Sequence, residues 1–201
     1  MSAYVLESFD REAARQLLIG NGLIPFRHIL RNGQKVLIDW LDSKNREDME
    51  DCMKMLNQEI EEGTYPQDRI LNEEGFESYF LSHAAFVLKS EETSRALGCF
   101  YIKPNFPGRC RHICNGGFLV RAESRSRLGV GRIMADAFER FAPVLGFKAA
   151  FFNLVFCDNE ASLSLWRSQG YRETGRVPSA KYIKHGDASI PVDAIMFYKS
   201  F

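Results

Sequence analysis

The hydrophobic positions of this chain change period from segment to segment, and each change marks an element. A short helix is expected over Arg11 to Ile19, stopped by Gly20-Asn21-Gly22. Two alternating apolar runs, Pro25 to Leu30 and Lys35 to Leu41, flank Asn32-Gly33, a hairpin signature. From Asp48 to Glu61 the spacing of Met49, Cys52, Met53, Leu56 and Ile60 is helical. Gly63-Thr64-Tyr65-Pro66 breaks that helix, and Glu73 to Ser82 gives another. Strands are expected at Ala84 to Lys89, Leu97 to Pro104 and Ile113 to Arg121. Ile133, Ala137, Phe138 and Phe141 then mark an amphipathic helix. Ala149 to Phe156 (AAFFNLVF) follows as an almost continuous apolar run, the pattern of a parallel strand covered on both faces. Asp158 or Asn159 can cap a helix that Ala161, Leu163, Leu165 and Trp166 carry to a break at Gly170. Tyr171 to Thr174 and Val192 to Tyr198 are the last strands. Their connection, Gly175 to Pro191, is expected to be a solvated loop or one wall of a pocket.

Candidate chemistry begins at the turn Arg127-Leu128-Gly129-Val130-Gly131-Arg132, which leads into the Ile133 to Phe141 helix. Backbone amides there have no intrahelical acceptor, and the positive dipole end favours a pyrophosphate, with Arg125, Arg127 and Arg132 adding charge. A plain loop carries the same glycines, so the turn alone does not choose. Two asparagines stand out. Asn153 interrupts an apolar strand, where an unpartnered buried amide costs roughly 1 to 3 kcal/mol, so backbone, water or ligand must pair with it. Asn115 precedes Gly116-Gly117, where missing side chains open the sheet or let a ligand approach the backbone. Each amide is either a satisfied core group or a reader of substrate.

Charge narrows the partners: 26 Lys and Arg balance 26 Asp and Glu, so nothing predicts attraction to nucleic acid or an anionic membrane, and the partner is expected to be small. No apolar run has the length of a membrane span. The N-terminus has neither a signal core nor the acid-poor character of a transit peptide, which points to the cytoplasm, with the mitochondrion as second compartment. Five cysteines without a regular framework fit a reducing compartment. Cys110, His112 and Cys114 lack a second ligand pair, so no metal is expected. The 201 residues read as one unit: an extension over 1–45, helix plus hairpin, packed on a main domain over 46–201.

The order strand, glycine turn, helix, strand, Asn, helix, Gly-Tyr resembles the acetyl-CoA site of GCN5-related N-acetyltransferases (GNAT). That family's pattern of Asn, two residues, Ser or Ala, two residues, Leu and an aromatic, three residues, Gly and an aromatic is met by Asn159, Ser162, Leu165, Trp166, Gly170 and Tyr171. The resemblance implies an α/β fold with a mixed central sheet of about seven strands flanked by helices, two strands splaying apart to admit acetyl-CoA. It implies cofactor contacts at Phe118, Leu119 and Val120, along the turn from Arg125 and Arg127 through Leu128, Gly129, Val130, Gly131 and Arg132, and at Asn159, Ser162 and Trp166. Two positions depart from the pattern. Ser126 stands where Gln or Arg usually lies three residues before the first glycine, and Trp166 stands where many relatives carry a Tyr that protonates the CoA thiolate. An indole cannot do this at neutral pH. Another group or water supplies the proton, or the step needs no strong acid.

The runs Phe100 to Asn105, Cys114 to Val120, Phe152 to Phe156 and Pro191 to Ile195 are similar to those of fungal azetidine-2-carboxylate N-acetyltransferases, over roughly Asp48 to Phe201. That resemblance implies small cyclic imino acids as acceptors, such as azetidine-2-carboxylate or cis-4-hydroxyproline. It also implies a homodimer and a link to proline-analogue detoxification and oxidative stress. The same resemblance implies catalysis by Asn115, Asn153 and Asn159 and acceptor binding by Asn115, Asn153 and Leu154; Asn159 is also a natural helix cap. The expected reaction is direct transfer in a ternary complex, with a backbone N–H near Phe118 to Val120 stabilising the oxyanion. Cys114 and Cys157 have no evident activating His, and Asp158, Asp193 and His112 remain alternatives for a water-mediated base. A protein, peptide or polyamine acceptor, or a catalytically weak CoA-binding regulatory module, are the competing readings.

Overall fold

A computed structural model describes residues 8–125, 128–185 and 188–201. In chain order its elements are α1 (Arg11–Gly20), β1 (Phe26–Ile29), β2 (Lys35–Trp40), α2 (Arg46–Glu61), α3 (Glu73–Phe80), β3 (Ala84–Ser90) and β4 (Ala96–Pro104). There follow β5 (Ile113–Asn115), β6 (Phe118–Val120), α4 (Val130–Val144), β7 (Ala149–Phe156), α5 (Glu160–Ser168), β8 (Arg172–His185) and β9 (Ala188–Ser200). One sheet runs β1-β2-β3-β4-β5-β7-β9-β8, with β6 also paired to β4. Among the described residues the sheet has nine strands, against the roughly seven expected.

The central strands are apolar on both faces because helices cover both. One core gathers Phe86, Phe100, Phe138, Phe141, Phe152 and Trp166 beneath α1, α4 and α5. The other gathers Met49, Cys52, Leu56, Phe76, Phe80 and Tyr101 beneath α2 and α3. The β1–β2 hairpin continues the sheet, with Trp40 opposite Phe86, and Leu18 of α1 is fully buried in the first core. Arg11 ties α1 down by donating to the carbonyls of Leu81 at 2.7 Å and Leu41 at 2.8 Å and to that of His83. Both helices nearest the site end in a Schellman motif: Phe147 N–H returns to Ala142 O and Tyr171 N–H to Trp166 O, each at 3.0 Å, around Gly146 and Gly170 with positive φ.

Two sequence expectations are corrected. Ile113 to Arg121 is not one strand; it divides at Gly116-Gly117 into β5 and β6. A Cβ on Gly117 would strike the Tyr65 hydroxyl and lie 2.6 Å from the Tyr101 ring, so protein aromatics occupy the space those glycines vacate. Nor is Gly175 to Pro191 a loop, since β8 and β9 carry the hairpin to the His185–Ala188 pair. Pro178 and Ser179 sit in a bulge between Val177 and Lys181. The Asp193 carboxylate pins that bulge, accepting from Ser179 N at 2.8 Å and Arg176 Nε at 2.7 Å.

Candidate active site

The site opens where the sheet comes apart. β5 and β7 are parallel neighbours only at Ile113–Ala149 and Cys114–Ala150. Beyond them β6 follows β4 through Gly98–Val120, Cys99–Leu119 and Phe100–Phe118, while β7 follows β9 with a bulge between Phe152 and Val155. The facing edges of β6 and β7 are unpaired. Tyr101 N bonding Gly117 O and Arg121 N bonding Leu97 O set the phase of β6. Alternation then turns the Leu119 backbone to β4 and the N–H groups of Phe118 and Val120 into the opening. These two amides are available to an added strand-like ligand or a developing oxyanion. The helix-covered side of the opening is aromatic: Trp166 lies 4.4 Å from Phe152 and 4.9 Å from Phe118 by ring centroids.

The glycine turn sits at the mouth of this opening. Asp10, Asn45, Asn72 and Asn159 cap α1, α2, α3 and α5 by accepting an N–H three residues on, whereas α4 starts at Gly129 with no side-chain cap. Gly129 has φ 90° and ψ 12°, and the amides of Val130, Gly131 and Arg132 follow in the first turn without intrahelical acceptors. A Cβ on Gly131 would lie 3.7 Å from Leu165 and 4.0 Å from Val120, which places the turn against both α5 and β6. The Leu128 carbonyl accepts from Arg31 N at 3.2 Å, fixing the loop to the β1–β2 turn. Arg125 reaches α2 instead, pairing with Glu59 at 2.7 Å and Glu62 at 2.8 Å and holding the Glu62 carboxyl below its usual range. Arg132 pairs with Asp136 at 3.2 Å and donates to Ser168 at 3.3 Å. Arg127 lies outside the described residues. The turn thus brings together amides and a dipole rather than two free guanidinium groups.

The opposite side of the opening is polar. Asn115 pairs across from Lys103, and its Oδ1 accepts Gly116 N at 2.8 Å. Asn153 lies in the β7 bulge and forms a reciprocal amide pair with Asn105: Nδ2 donates to Asn105 Oδ1 at 2.8 Å and Oδ1 accepts from Asn105 Nδ2 at 2.9 Å. Each amide keeps one N–H outside the pair. Leu154, beside it, is 43% exposed. Asn159 Oδ1 accepts Ser162 N at 3.0 Å as the cap of α5, which leaves its Nδ2 outside the cap. Sequence reasoning missed Asn105 and Lys103. Lys103 alternates with Tyr101 along β4 onto the Asn115 face, and Asn105, just past the end of β4, joins them through its pair with Asn153, a signal readable only once β4 is known to neighbour β5.

Of the three candidate bases, Asp158 stands nearest the end of β7 and is paired with Lys181 at 2.8 Å. Asp193 is held below its ordinary pKa by the Ser179 amide and then by Arg176, so it is a weaker base. His112 immediately precedes β5 at the closed end of the sheet and is hydrogen-bonded to Arg109 O at 3.2 Å. Burial pushes the Cys114 thiol far up, which removes it as a nucleophile. No group of three His, Cys, Asp or Glu among the described residues could hold a metal, and none of the described helices is long and apolar enough to cross a membrane.

Trp166 is built as a packing residue. It is buried, and its Nε1 donates to Ser162 Oγ one turn back at 3.0 Å. Trp166→Phe is expected to lower the melting temperature by a few degrees, at about 1 to 3 kcal/mol for lost packing and one hydrogen bond, and to keep most of the turnover. A collapse of kcat with acetyl-CoA affinity and melting temperature intact would instead give the indole a chemical role.

Comparison with known proteins bears on this geometry. The sequence profile of the acetyltransferase (GNAT) family matches residues 47–171. N-acetyltransferase aca1 of Schizosaccharomyces pombe is 39% identical over 176 residues, covering 79% of this chain and 83% of that protein. A GCN5-related N-acetyltransferase from Kribbella flavida superposes with a TM-score of 0.73 at 25% identity, over 83% of this chain and 98% of that one. A phosphinothricin acetyltransferase from Sinorhizobium meliloti, solved in complex with acetyl-CoA, shares the fold with a TM-score of 0.67 at 16% identity, over 82% and 88% of the two chains. With its sheet splayed beside an uncapped glycine turn, and with a profile match over more than half its length, the chain belongs to the GNAT acetyltransferase family and is an acetyl-CoA-dependent N-acetyltransferase.

Proposed function

We propose that the acceptor is a small cyclic imino acid of the azetidine-2-carboxylate or cis-4-hydroxyproline type. The observation that carries this reading is the amide set Asn115, Asn105 and Asn153 on one face of the opening. Each asparagine has hydrogen-bonding capacity beyond its protein partner. Acetyl-CoA supplies an activated acyl group. The Val130, Gly131 and Arg132 amides would hold its pyrophosphate, and the unpaired edges of β6 and β7, with Phe118 and Val120, would receive its pantetheine. Asn153 and Asn115 orient the ring nitrogen, and the half-exposed Leu154 gives the ring an apolar contact. The neutral amine attacks the thioester carbon, the C–S bond breaks, and the nitrogen's proton leaves through water toward Asp158. The Phe118 or Val120 N–H holds the carbonyl oxygen as it gains charge. Asn159 has an Nδ2 free of the cap to act at the sulfur end.

Thiol release from acetyl-CoA, measured against proline analogues, polyamines and N-terminal peptides, tests this. The expected outcome is a kcat/KM for azetidine-2-carboxylate at least about tenfold above the other two classes. A preference for peptides would assign this face to a macromolecular acceptor.

A further inference from the structure

The most unusual charged side chain on the acceptor face is Lys103. It projects from β4 on the side of Tyr101, directly across from Asn115 and two residues from Asn105. Its Nζ lies 4.4 Å from the ring centroids of both Tyr79 and Tyr101. Those phenols meet at 3.2 Å between their oxygens, and Tyr65 packs edge-on against Tyr79. The remaining sheet lysines with sheltered heads are neutralised: Lys89 by Asp48, Lys181 by Asp158 and Lys199 by Glu139, all at 2.7 to 2.8 Å. Among the described residues no carboxylate pairs with Lys103, and no acceptor takes a hydrogen bond from its Nζ.

Among the described residues, no neighbouring group supplies the missing charge. Burial and mutual contact push the Tyr65 and Tyr101 hydroxyls well above their ordinary values, so they stay neutral. Burial, with Lys103 and Arg11 adding, pulls His83 down to about 4, so it is neutral at physiological pH. Burial also lowers Lys103 itself, the signature of a desolvated cation. Ring faces favour an ammonium, but they do not replace a counter-ion.

We propose that Lys103 binds the carboxylate of the acceptor, so that the enzyme selects amines carrying an adjacent anion. The assignment rests on the small-amine reading above and deepens it. With the carboxylate on Lys103, the Asn115 and Asn105–Asn153 amides lie along the same wall toward the opening, where the ring nitrogen must meet the thioester. The three donors of the Nζ, bound by no acceptor among the described residues, give a carboxylate a charge-assisted anchor.

The test crosses two acceptors with two proteins: azetidine-2-carboxylate and its carboxamide, each with wild type and Lys103→Met. The carboxamide amine is less basic, and comparing the acid-to-amide ratio between proteins cancels that difference. Wild type is expected to prefer the acid by about tenfold or more in kcat/KM, and Lys103→Met to abolish the preference, chiefly through KM for the acid. Acetyl-CoA affinity should not change. A wild type that takes both acceptors equally overturns the assignment while leaving the small-amine reading intact, and needs no variant to fold. Equal losses on both acceptors in Lys103→Met would make the lysine structural and also overturn it. A wild type that turns over neither acceptor but acetylates peptides removes the small-amine reading, and this assignment with it.

Discussion

Gly129→Val is expected to weaken acetyl-CoA binding by a hundredfold or more. At φ 90° the residue occupies left-handed space, where a β-branched side chain costs about 1 to 3 kcal/mol. The penalty is conformational, because an added Cβ would come no nearer than 3.8 Å to Arg31. Relief of the strain rotates the peptide that aims the Val130 and Gly131 amides. A phosphate that loses two charge-assisted hydrogen bonds loses about 3 kcal/mol or more, which is the hundredfold. Gly131→Val should add to the loss from the ligand side, since its Cβ meets only ordinary contacts within the protein. Gly129→Asn, which tolerates the left-handed region, should stay within about tenfold of wild type. Calorimetric titration with acetyl-CoA reads all three. Unchanged affinity in Gly129→Val would put the pyrophosphate somewhere other than the start of α4.

That turn was legible in sequence because its signal is local: two glycines and a helical apolar stripe fix where amides go unpaired. The charges around it were not. Arg125 adjoins the turn in sequence, but Glu59 in α2 and Glu62 at its C-cap lie more than sixty residues upstream, and only the fold brings α2 over β6 to claim the guanidinium. The same distinction runs through the sheet. The apolar run Ala149 to Phe156 announced a buried strand, and it pairs parallel to β5 as that pattern implies. The division of Ile113 to Arg121 depends on Tyr65 and Tyr101 pressing against Gly117, a contact between segments without shared periodicity. Polar residues in the β8–β9 hairpin concealed strands, since an exposed ribbon at a sheet edge has no apolar face to betray it. Lys103 went unnoticed for another reason: a lysine near the end of a strand is ordinary until the missing carboxylate is visible in three dimensions.

Asn153→Ala is expected to cut transfer to azetidine-2-carboxylate by roughly ten- to a hundredfold, about 1.4 to 2.7 kcal/mol, while leaving acetyl-CoA binding nearly unchanged. The reciprocal pair with Asn105 sharpens the test. Both hydrogen bonds of the pair fix the plane of the Asn153 amide, so its remaining N–H and carbonyl lone pair point in set directions. Asn105→Ala frees that amide to rotate without removing it. If Asn153 reads the acceptor, Asn105→Ala should lower kcat/KM by a smaller factor, and the double variant should fall little below Asn153→Ala, because Asn105 acts through its partner. If the pair is only a satisfied core amide set, each single variant leaves a half-buried amide short of a partner. The melting temperature then drops, transfer per folded molecule stays at the wild-type level, and the double variant recovers part of the lost stability. Melting and initial-rate measurements on the same preparations separate the two. A stable Asn153→Ala enzyme with wild-type rates would remove the amide from the acceptor site and leave Asn115 as the residue to test there.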